Sequence, residues 1–507
     1  MSSWHQDDHA APTHDGEDGH SSQPFPVPSV TAAIASYLAS QPTQHISQPQ
    51  PSPPRWHNYT PLQQRPSHRP HRAAPAAPLL WAFSTLLSPP RSLSPWNAGP
   101  VVPGGEIPDA SPAGGGRAGD ANGCLRLARR VGRKAAGEGR NFMLSPLSFH
   151  AALALVASGA NGETQAELLR FLGSASLDEL QHAAATRLVA ALRGIPQTSF
   201  ACGVWVDRRC ALREEFADVA GAVYTAVAES VDFVSQAEEA RQRINDFVKD
   251  ATKGLIGAVL PQGSVGPSTV AVLANGLHFK GTWAQPFDPS RTFEAPFHLP
   301  GGGTVRAPFM MTRRTYEYDQ HYVAVFSGFR ALKLPYSCSK SGSNQWHQAA
   351  YFYMLLLLPD DDAAGHGLRD VYDRAVSAPG FIRRHTPACK VPAGRLMVPK
   401  FKFAYEFEAS EEMRRLGVAR AFEGGDFSGM FAGGGGGSVN GVYHKATVEV
   451  DEEGTVAAAA TAVSICLSAS AILPVDFVAD RPFLFAVVEE RSGAVLFFGH
   501  VVNPLAE

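Results

Sequence analysis

The sequence is poor in cysteine, and no spacing among its cysteines marks a metal site or a disulfide framework. The 507 residues contain six cysteines, scattered along the chain without a C-x-x-C pair and without tightly spaced histidine partners. This scatter predicts reduced thiols, as in a cytoplasmic or nuclear compartment. We therefore expect no metal site, no disulfide framework and no cofactor.

The sequence shows no pattern of a secretory leader after Met1 and no apolar run long enough to cross a bilayer. Met1 is followed by polar and acidic residues, not by a basic stretch and an apolar core. The apolar patch APLLWAFSTLLSPP, near residue 80, is too short to cross a bilayer. We expect a cytoplasmic or nuclear chain without membrane contact. An extracellular location stays open, because this patch would resemble a leader core if translation began inside the N-terminal region.

The chain has no excess of charge of one sign and no catalytic motif. Its formal net charge is −3, so no overall positive field points toward nucleic acid or an anionic membrane. The nucleophile elbow G-x-S-x-G, the zinc motif H-E-x-x-H and the phosphate-binding Walker loop are absent from the sequence. We expect a protein that is not an enzyme and has no nucleic-acid partner, and we expect a monomer.

Composition divides the chain into two parts. Residues 1–117 are rich in proline, serine and histidine and lack sustained apolar periodicity, which predicts a disordered N-terminal extension. Residues 118–507 are long enough to form one large domain. An alternative makes the extension the functional part, as an interaction arm that carries the domain as a passenger.

Within the predicted domain, helical patterns come first and strand patterns follow. Apolar spacings of three and four dominate residues 123–190. From Thr269 onward, β-branched and aromatic runs dominate, and one of them, RLMVPKFKFAYEF (395–407), is expected to form a strand. Helices followed by strands, without regular βαβ alternation, predict an α+β fold with large mixed or antiparallel sheets.

The segment EVDEEGTVAAAATA (449–462) has an unusual composition for its position near the C-terminus. A charged strand breaks at Gly454, and eight residues without a large polar side chain follow. Small side chains suit a segment that lies outside at one moment and slots between two strands at another. A strand points its side chains alternately to both faces of a sheet, so a large or charged residue would clash on one of them.

This segment resembles the hinge of a serpin reactive-centre loop. Other motifs of the serpin family occur in the family's order over roughly residues 118–507, and their details are most similar to plant serpins. These motifs are NFMLSPLSFHAALALVASGA (141–160), INDFVKDATKGLI (244–256), LANGLHFKGTW (273–283), LPYS (334–337), VPKFKF (398–403), VYHKATVEVDEEGT (442–455) and FVADRPFLFAV (477–487).

The resemblance implies the serpin fold, in which helices pack on three mixed or antiparallel β-sheets and a reactive-centre loop is exposed. It also implies a suicide-type inhibitor of serine endopeptidases. The protease would form an acyl-enzyme with the loop and be trapped when the cleaved loop inserts into the main sheet. The alternative is a non-inhibitory serpin that serves as a storage or binding protein.

Counted as in the family, the reactive bond joins Ser468 to Ala469, and a register shifted by one residue would place it between Leu467 and Ser468. Ser468 suits the small pocket of an elastase-like protease, and Leu467 suits a chymotrypsin-like one. A papain-like cysteine protease stays an open target class. The hinge implied by the resemblance consists of Glu452, Gly454, Thr455, Val456, Ala457, Ala458, Ala459 and Ala460.

The resemblance also assigns conformational roles to residues outside the loop. Trp283 matches the tryptophan under the point where the loop would enter the sheet, and Lys400 matches the partner of Glu452 in a salt bridge. The polar cluster where the central strands would part consists of Ser145, Ser148, Asn275 and His444. The sequence departs from the family pattern at Gly276 and His278, where alanine and tyrosine are usual.

Overall fold

A computed structural model of the chain describes residues 122–183, 197–312, 320–337, 351–360, 367–378, 380–432, 436–454 and 474–506. The predicted N-terminal extension, residues 1–117, lies outside these ranges. So do residues 455–473, which contain the predicted inserting hinge and the predicted reactive bond.

Nine α-helices lie in the described part of the chain. They are α1 (Asn122–Gly137), α2 (Pro146–Gly159), α3 (Gly162–Leu172), α4 (Leu177–Ala183), α5 (Glu214–Tyr224), α6 (Ala237–Ala251), α7 (Gly367–Ser377), α8 (Phe381–Arg384) and α9 (Ser410–Arg415). Short 3₁₀ turns cover Pro289–Arg291 and Arg420–Phe422.

Helix α2 is almost wholly buried and is positioned by its first residues. Pro146 occupies the first turn, where its missing N–H costs no hydrogen bond. Ser145 caps the helix, because its side-chain oxygen accepts the N–H of Ser148 at 3.1 Å. The cap therefore fixes both serines at the buried end of α2.

Nineteen strands lie in the described residues. They are β1 (Phe142–Leu144), β2 (Thr198–Asp207), β3 (Ala211–Leu212), β4 (Val227–Val231), β5 (Ala271–Phe279), β6 (Phe293–His298), β7 (Thr304–Met311), β8 (Gln320–Phe326), β9 (Phe329–Pro335), β10 (Phe352–Pro359), β11 (Val391–Pro399), β12 (Phe401–Glu408), β13 (Gly425–Asp426), β14 (Phe431–Ala432), β15 (Gly436–Gly437), β16 (Val439–Val450), β17 (Val475–Val478), β18 (Phe483–Glu489) and β19 (Val495–Val501).

Five strands form the main sheet, in the order β12-β16-β5-β2-β4. A larger sheet has the order β1-β19-β18-β10-β9-β8-β11-β7-β6, with β17 paired to β11. Its two halves are joined where β8 meets β11, at the pairs His321↔Val391 and Gln320↔Pro392. The described residues thus contain three main sheet regions and two short two-stranded pairs, β13–β15 and β14–β3. The predicted α+β fold is confirmed.

One strand prediction was wrong in extent. The run 395–407 is not a single strand, because it divides at Lys400 into β11 and β12, which belong to different sheets. β11 ends at Pro399. The N–H of Lys400 still donates to the oxygen of Pro308 on β7, in the larger sheet, whereas β12, which begins at Phe401, pairs in the main sheet. The division brings the end of the larger sheet next to the start of the main sheet.

The main sheet is covered on both faces. On one face, Leu273 and Leu277 of β5 belong to the large core that also contains the buried residues of α2. On the other face, Val272 and Ala274 pack in a second apolar cluster with Val248 of α6. Neighbouring residues of a strand point in opposite directions, so any strand added to this sheet would have to bury small side chains on both sides.

Candidate functional site

The two central strands of the main sheet, β5 and β16, are parallel neighbours and form a seam. Their pairing runs from Val439↔Ala271 to Ala446↔Leu277. Beyond Ala446, β16 continues to Val450 paired with β12, while its pairing with β5 has ended. The seam is therefore closed along most of its length and open at the end that leads to Gly454.

The direction of the strands makes the seam a suitable place for another strand. Residues after Gly454 that turned and ran back along β16 would be antiparallel to both β16 and β5. They would replace a parallel pairing with two antiparallel ones, which are slightly more stable per residue. The hinge residues that would do this, Thr455, Val456, Ala457, Ala458, Ala459 and Ala460, lie outside the described residues.

A polar cluster joins α2 to both strands of the seam. The Ser145 backbone N–H donates to Nε2 of His444 at 3.2 Å, so the ring hydrogen is on Nδ1. That Nδ1 lies 2.8 Å from Oδ1 of Asn275 and donates to it. The Ser148 hydroxyl donates to the same Asn275 oxygen at 3.0 Å. The cluster thus ties β16, β5 and the start of α2 together.

This cluster is buried and electrically neutral. Ser145, Ser148 and Asn275 are 0% exposed, and His444 is 1% exposed. Burial lowers the pKa of His444 to about 3, because an imidazolium ion would lose its hydration there. A proton on Nε2 would also point at the Ser145 N–H, and two donors that face each other cannot form a hydrogen bond. The hydrogen-bond network therefore requires the neutral ring.

At the open end of the seam, Trp283 holds the chain that leads to the hinge. Its backbone N–H donates to the oxygen of Glu453 at 2.9 Å, and its indole N–H donates to the oxygen of Asp451 at 2.9 Å. The indole ring stacks on Tyr336, with 4.5 Å between ring centroids. Trp283 is 1% exposed, so these bonds are shielded from water and fix the position of residues 451–453.

Gly454 itself is required by the geometry of this turn. Its φ is +136°, a conformation that other residues rarely adopt. A side chain at this position would also press against the oxygen of Gly281 and come within 2.6 Å of Cα of Thr282. The Asp451 carboxylate stabilises the turn, because its Oδ1 accepts the N–H groups of Glu453 and Gly454 at 3.0 and 3.1 Å.

A salt bridge fixes Glu452, the residue between Asp451 and Glu453. Nζ of Lys400 lies 2.8 Å from Oε2 of Glu452, and the Thr292 hydroxyl donates to Oε1 at 2.6 Å. Burial raises the pKa of Glu452, but the hydrogen bonds from Lys400 and Thr292 outweigh it and keep this pKa below its usual value. The carboxylate is therefore charged and held on both oxygens. Lys400 is the residue at which β11 gives way to β12, so the pair anchors the hinge to the junction of two sheets.

The structure brings together in these two clusters all the predicted site residues that it describes. The polar cluster contains Ser145, Ser148, Asn275 and His444, and the hinge cluster contains Trp283, Lys400, Glu452 and Gly454. Their conformational roles stay predictions. The predicted reactive-bond residues, Leu467, Ser468 and Ala469, lie outside the described residues.

Sequence reasoning missed three contributors to the hinge cluster. Asp451 could have been found, because an aspartate three residues before a glycine is a common turn pattern. Thr292 and Tyr336 carry no local signal, since they reach the hinge from distant parts of the chain. The departure at Gly276 lies at a tightly packed position. An added Cβ there would lie 3.0 Å from Cδ1 of Ile256, in the apolar cluster beside α6.

Other chemistry was sought in the described residues. No group of three or more His, Cys, Asp or Glu side chains there could hold a metal ion. None of the described helices is long and apolar enough to cross a membrane. The cysteines in the described part are free thiols: Cys124, Cys202, Cys210 and Cys389.

Comparisons with known proteins agree on one family. A family model described as Serpin (serine protease inhibitor) matches residues 119–504. "Putative serpin-Z12" of Oryza sativa subsp. japonica is 64% identical over 389 residues, which cover 76% of this chain and 91% of that protein. "Putative non-inhibitory serpin-10" of the same organism is 40% identical over 403 residues, covering 76% of this chain and 99% of that protein.

Solved structures give the same result. A structure of Arabidopsis AtSerpin1 in its "native stressed conformation" is 35% identical, with a TM-score of 0.66, and the match covers 76% of this chain and 97% of that one. The family match spans residues 119–504, which is most of the chain, and the solved structure shares its fold. The chain belongs to the serpin family of serine protease inhibitors and is similar to plant serpins of the Z type.

Proposed function

We propose that this protein is a suicide-type inhibitor of serine endopeptidases. A protease would attack the carbonyl of Ser468 and form an acyl-enzyme. The freed segment that begins at Thr455 would then insert between β5 and β16 and carry the protease with it. The observation that carries this proposal is the seam, whose parallel strands stop pairing at Ala446 and open toward a hinge fixed at Gly454.

Insertion would be driven by backbone hydrogen bonds and by burial of small side chains. An inserted strand about as long as β5 would add on the order of ten hydrogen bonds, each worth about 0.5–1.5 kcal/mol net. Alanine, valine and threonine could be buried against α2 on one face and α6 on the other without displacing them. The uncleaved protein would then be kinetically trapped, held by a barrier and not at its lowest free energy.

The polar cluster and the hinge cluster would control this barrier. Insertion has to separate Asn275 from His444 and so break the 2.8 Å hydrogen bond that spans the seam. Each group would have to find a new partner beside the inserted strand. The clusters are therefore conformational gates in this proposal and take no part in chemistry.

For the target, we propose an elastase-like serine protease, because Ser468 offers neither a charge nor a ring to a specificity pocket. A chymotrypsin-like protease would fit cleavage after Leu467, and papain-like cysteine proteases are a further class to test. Locating the cleaved bond by mass spectrometry after incubation with each protease distinguishes cleavage after Ser468 from cleavage after Leu467.

We propose that the protein acts in the cytoplasm or nucleus.

The second candidate is a non-inhibitory serpin that acts as a storage or binding protein. The 40% identity to "Putative non-inhibitory serpin-10" supports this second candidate function. The two candidates differ in what cleavage does. An inserted segment should raise the melting temperature of the cleaved protein sharply, whereas a segment that stays out of the sheet should leave it unchanged.

The decisive experiment mixes the protein with pancreatic elastase and with chymotrypsin and looks for a complex that survives SDS. The wild-type protein should form it. Thr455→Arg should be cleaved without forming the complex, because a guanidinium group cannot be buried in the sheet without a partner. The matched control Thr455→Val changes shape little, adds no charge and should still trap. Complex formation by Thr455→Arg would exclude insertion.

A further inference from the structure

A cavity of about 740 Å³ lies at one end of three neighbouring strands of the larger sheet. Pro359 ends β10, Pro482 precedes β18 and Val502 follows β19, and all three residues line the cavity. Sites for small organic molecules have volumes of roughly 300–1,000 Å³. The described residues that line the cavity include none from the seam, the polar cluster or the hinge cluster, so the cavity is separate from the candidate site above.

The back of the cavity is fixed by hydrogen bonds. Tyr372 lines the cavity and is itself 0% exposed. Nε2 of His500 donates to the oxygen of Arg140 at 2.9 Å, so its Nδ1 carries no hydrogen and accepts the Tyr372 hydroxyl at 2.5 Å. A Cβ at Gly132 of α1 would lie 2.5 Å from this hydroxyl oxygen, so the glycine lets the helix approach the ring. A ligand would meet a wall that is already in place, which lowers the ordering cost of binding.

Two arginines that line the cavity are oriented by the protein. Nε of Arg481 donates to the oxygen of Pro359 at 3.0 Å, and its Nη1 pairs with Oδ1 of Asp480 at 2.9 Å. Nη1 of Arg133, on α1, donates to Oδ1 of Asp373 at 3.0 Å. A guanidinium group has five N–H groups, so each of these arginines keeps donors for a ligand.

A third arginine, Arg369, supplies a free positive charge. It lies in the first turn of α7, is exposed, and forms no hydrogen bond or ion pair within the described residues. Two carboxylates, Asp360 and Asp480, also line the cavity, and Asp480 is already paired with Arg481. Three arginines against two aspartates leave one net positive charge on the described lining, so the cavity favours an anion.

The rest of the lining offers rigid apolar surface. The turn between β6 and β7 is held in place, because the His298 N–H donates to the oxygen of Asp480 and the Leu299 N–H to that of Gly303, both at 2.7 Å. Proline has almost no side-chain entropy to lose on binding. The apolar side chains that line the cavity include Leu299, Pro300, Pro359, Leu368 and Pro482. They suit the flat body of a ligand whose charged end lies at the arginines.

We propose that this cavity binds an organic phosphate, in which a phosphate group carries an apolar ring. Guanidinium groups match the geometry of phosphate oxygens and bind them in pairs. A phosphate monoester has a charge of about −1.5 to −2 at neutral pH and three free oxygens, so Arg133, Arg369 and Arg481 can share it. A carboxylate offers only two oxygens and one charge. This site goes beyond the proposed function and does not depend on it.

The test titrates the full-length protein with adenosine 5′-monophosphate in a calorimeter at low ionic strength. Adenosine and inorganic phosphate serve as the two matched halves of this probe. Arg369→Ala removes the free guanidinium group, and Ala136→Phe adds a ring to the cavity wall without changing any charge. The control is Arg170→Ala, which removes an exposed arginine of α3 that lies 3.3 Å from Glu163 and outside the cavity.

The wild-type protein should bind the nucleotide at least about tenfold more tightly than either half. Arg369→Ala should weaken nucleotide binding about tenfold or more, as expected for lost hydrogen bonds to a charged group. Ala136→Phe should weaken it as well, because the cavity becomes smaller. The control should bind like wild type. Without ligand, Arg369→Ala should melt at the wild-type temperature, since Arg369 is exposed and has no described partner.

Three results would each overturn this site: no binding of the nucleotide by the wild-type protein, equal affinity for the nucleotide and inorganic phosphate, or unchanged nucleotide binding by Arg369→Ala. If Ala136→Phe does not fold, Arg369→Ala decides alone. Protease trapping is measured separately, and neither its presence nor its loss bears on the binding of the nucleotide.

Discussion

The neutral state of His444 predicts how the stability of the uncleaved protein depends on pH. The perturbation is His444→Gln. A glutamine amide N–H can donate to Asn275, and its oxygen can accept the Ser145 N–H, so the variant keeps both hydrogen bonds of the ring. It removes the group that titrates and also the ring contacts with Phe149 and Phe407, whose loss does not depend on pH. The variant therefore separates the geometry of the cluster from its ionisation.

The direction follows from the pKa in each state. The ordinary pKa of histidine is 6.5, and burial lowers that of His444 to about 3. A group whose pKa is depressed on folding contributes its stability above the unfolded pKa and loses it as the pH falls. Between about pH 7.5 and pH 4.5, His444 should thus lose about 2–3 kcal/mol of folding free energy, at 1.36 kcal/mol per unit.

Denaturant unfolding of both proteins at the two pH values measures this loss. Other buried histidines contribute to both proteins alike, since burial also lowers the pKa values of His150 and His500 to about 4. The quantity of interest is therefore the difference between the two pH effects, with wild type losing about 2–3 kcal/mol more than the variant. Equal losses in wild type and His444→Gln would refute the reasoning.

Three further predictions concern the gates and the N-terminal region. Asn275→Ala should lower the unfolding free energy by about 2–4 kcal/mol, since it leaves the buried Nδ1–H of His444 without its acceptor; the denaturant midpoint should fall while the slope stays constant. Lys400→Ala should lower the melting temperature by about 5 °C, because Glu452 loses its ion-pair partner in a partly buried site; calorimetry at neutral pH checks this, and an unchanged value would contradict it. Deleting residues 1–117 should leave protease trapping unchanged, and a loss of trapping would make the extension the functional part.

Much of the fold could be predicted because its signals are local. Periodicity predicted helices within residues 123–190 and strands after Thr269, and the described residues contain both. The prediction for the small residues after Gly454 lies outside the described residues and stays a prediction. The break at Lys400 was missed because no glycine or cluster of turn residues separates the apolar run before it from the alternating run after it. Only the change of sheet, which depends on hydrogen bonds to distant strands such as that to Pro308, ends β11 there.

The candidate site could likewise be predicted only in part. The predicted gate residues that are described do lie together, but their contacts could not be derived from spacing. Thr292 meets Glu452 across 160 positions, and Trp283 meets Asp451 across 168. Such contacts depend on how three sheet regions are arranged.

The most direct test of the central claim is a crystal structure of the protein cleaved after Ser468. The account predicts a main sheet of six strands, with residues from Thr455 onward paired antiparallel to both β5 and β16. Asn275 and His444 would then lie on either side of the new strand. A cleaved structure in which Ala274 still pairs with Tyr443, as it does in the uncleaved protein, would contradict the account.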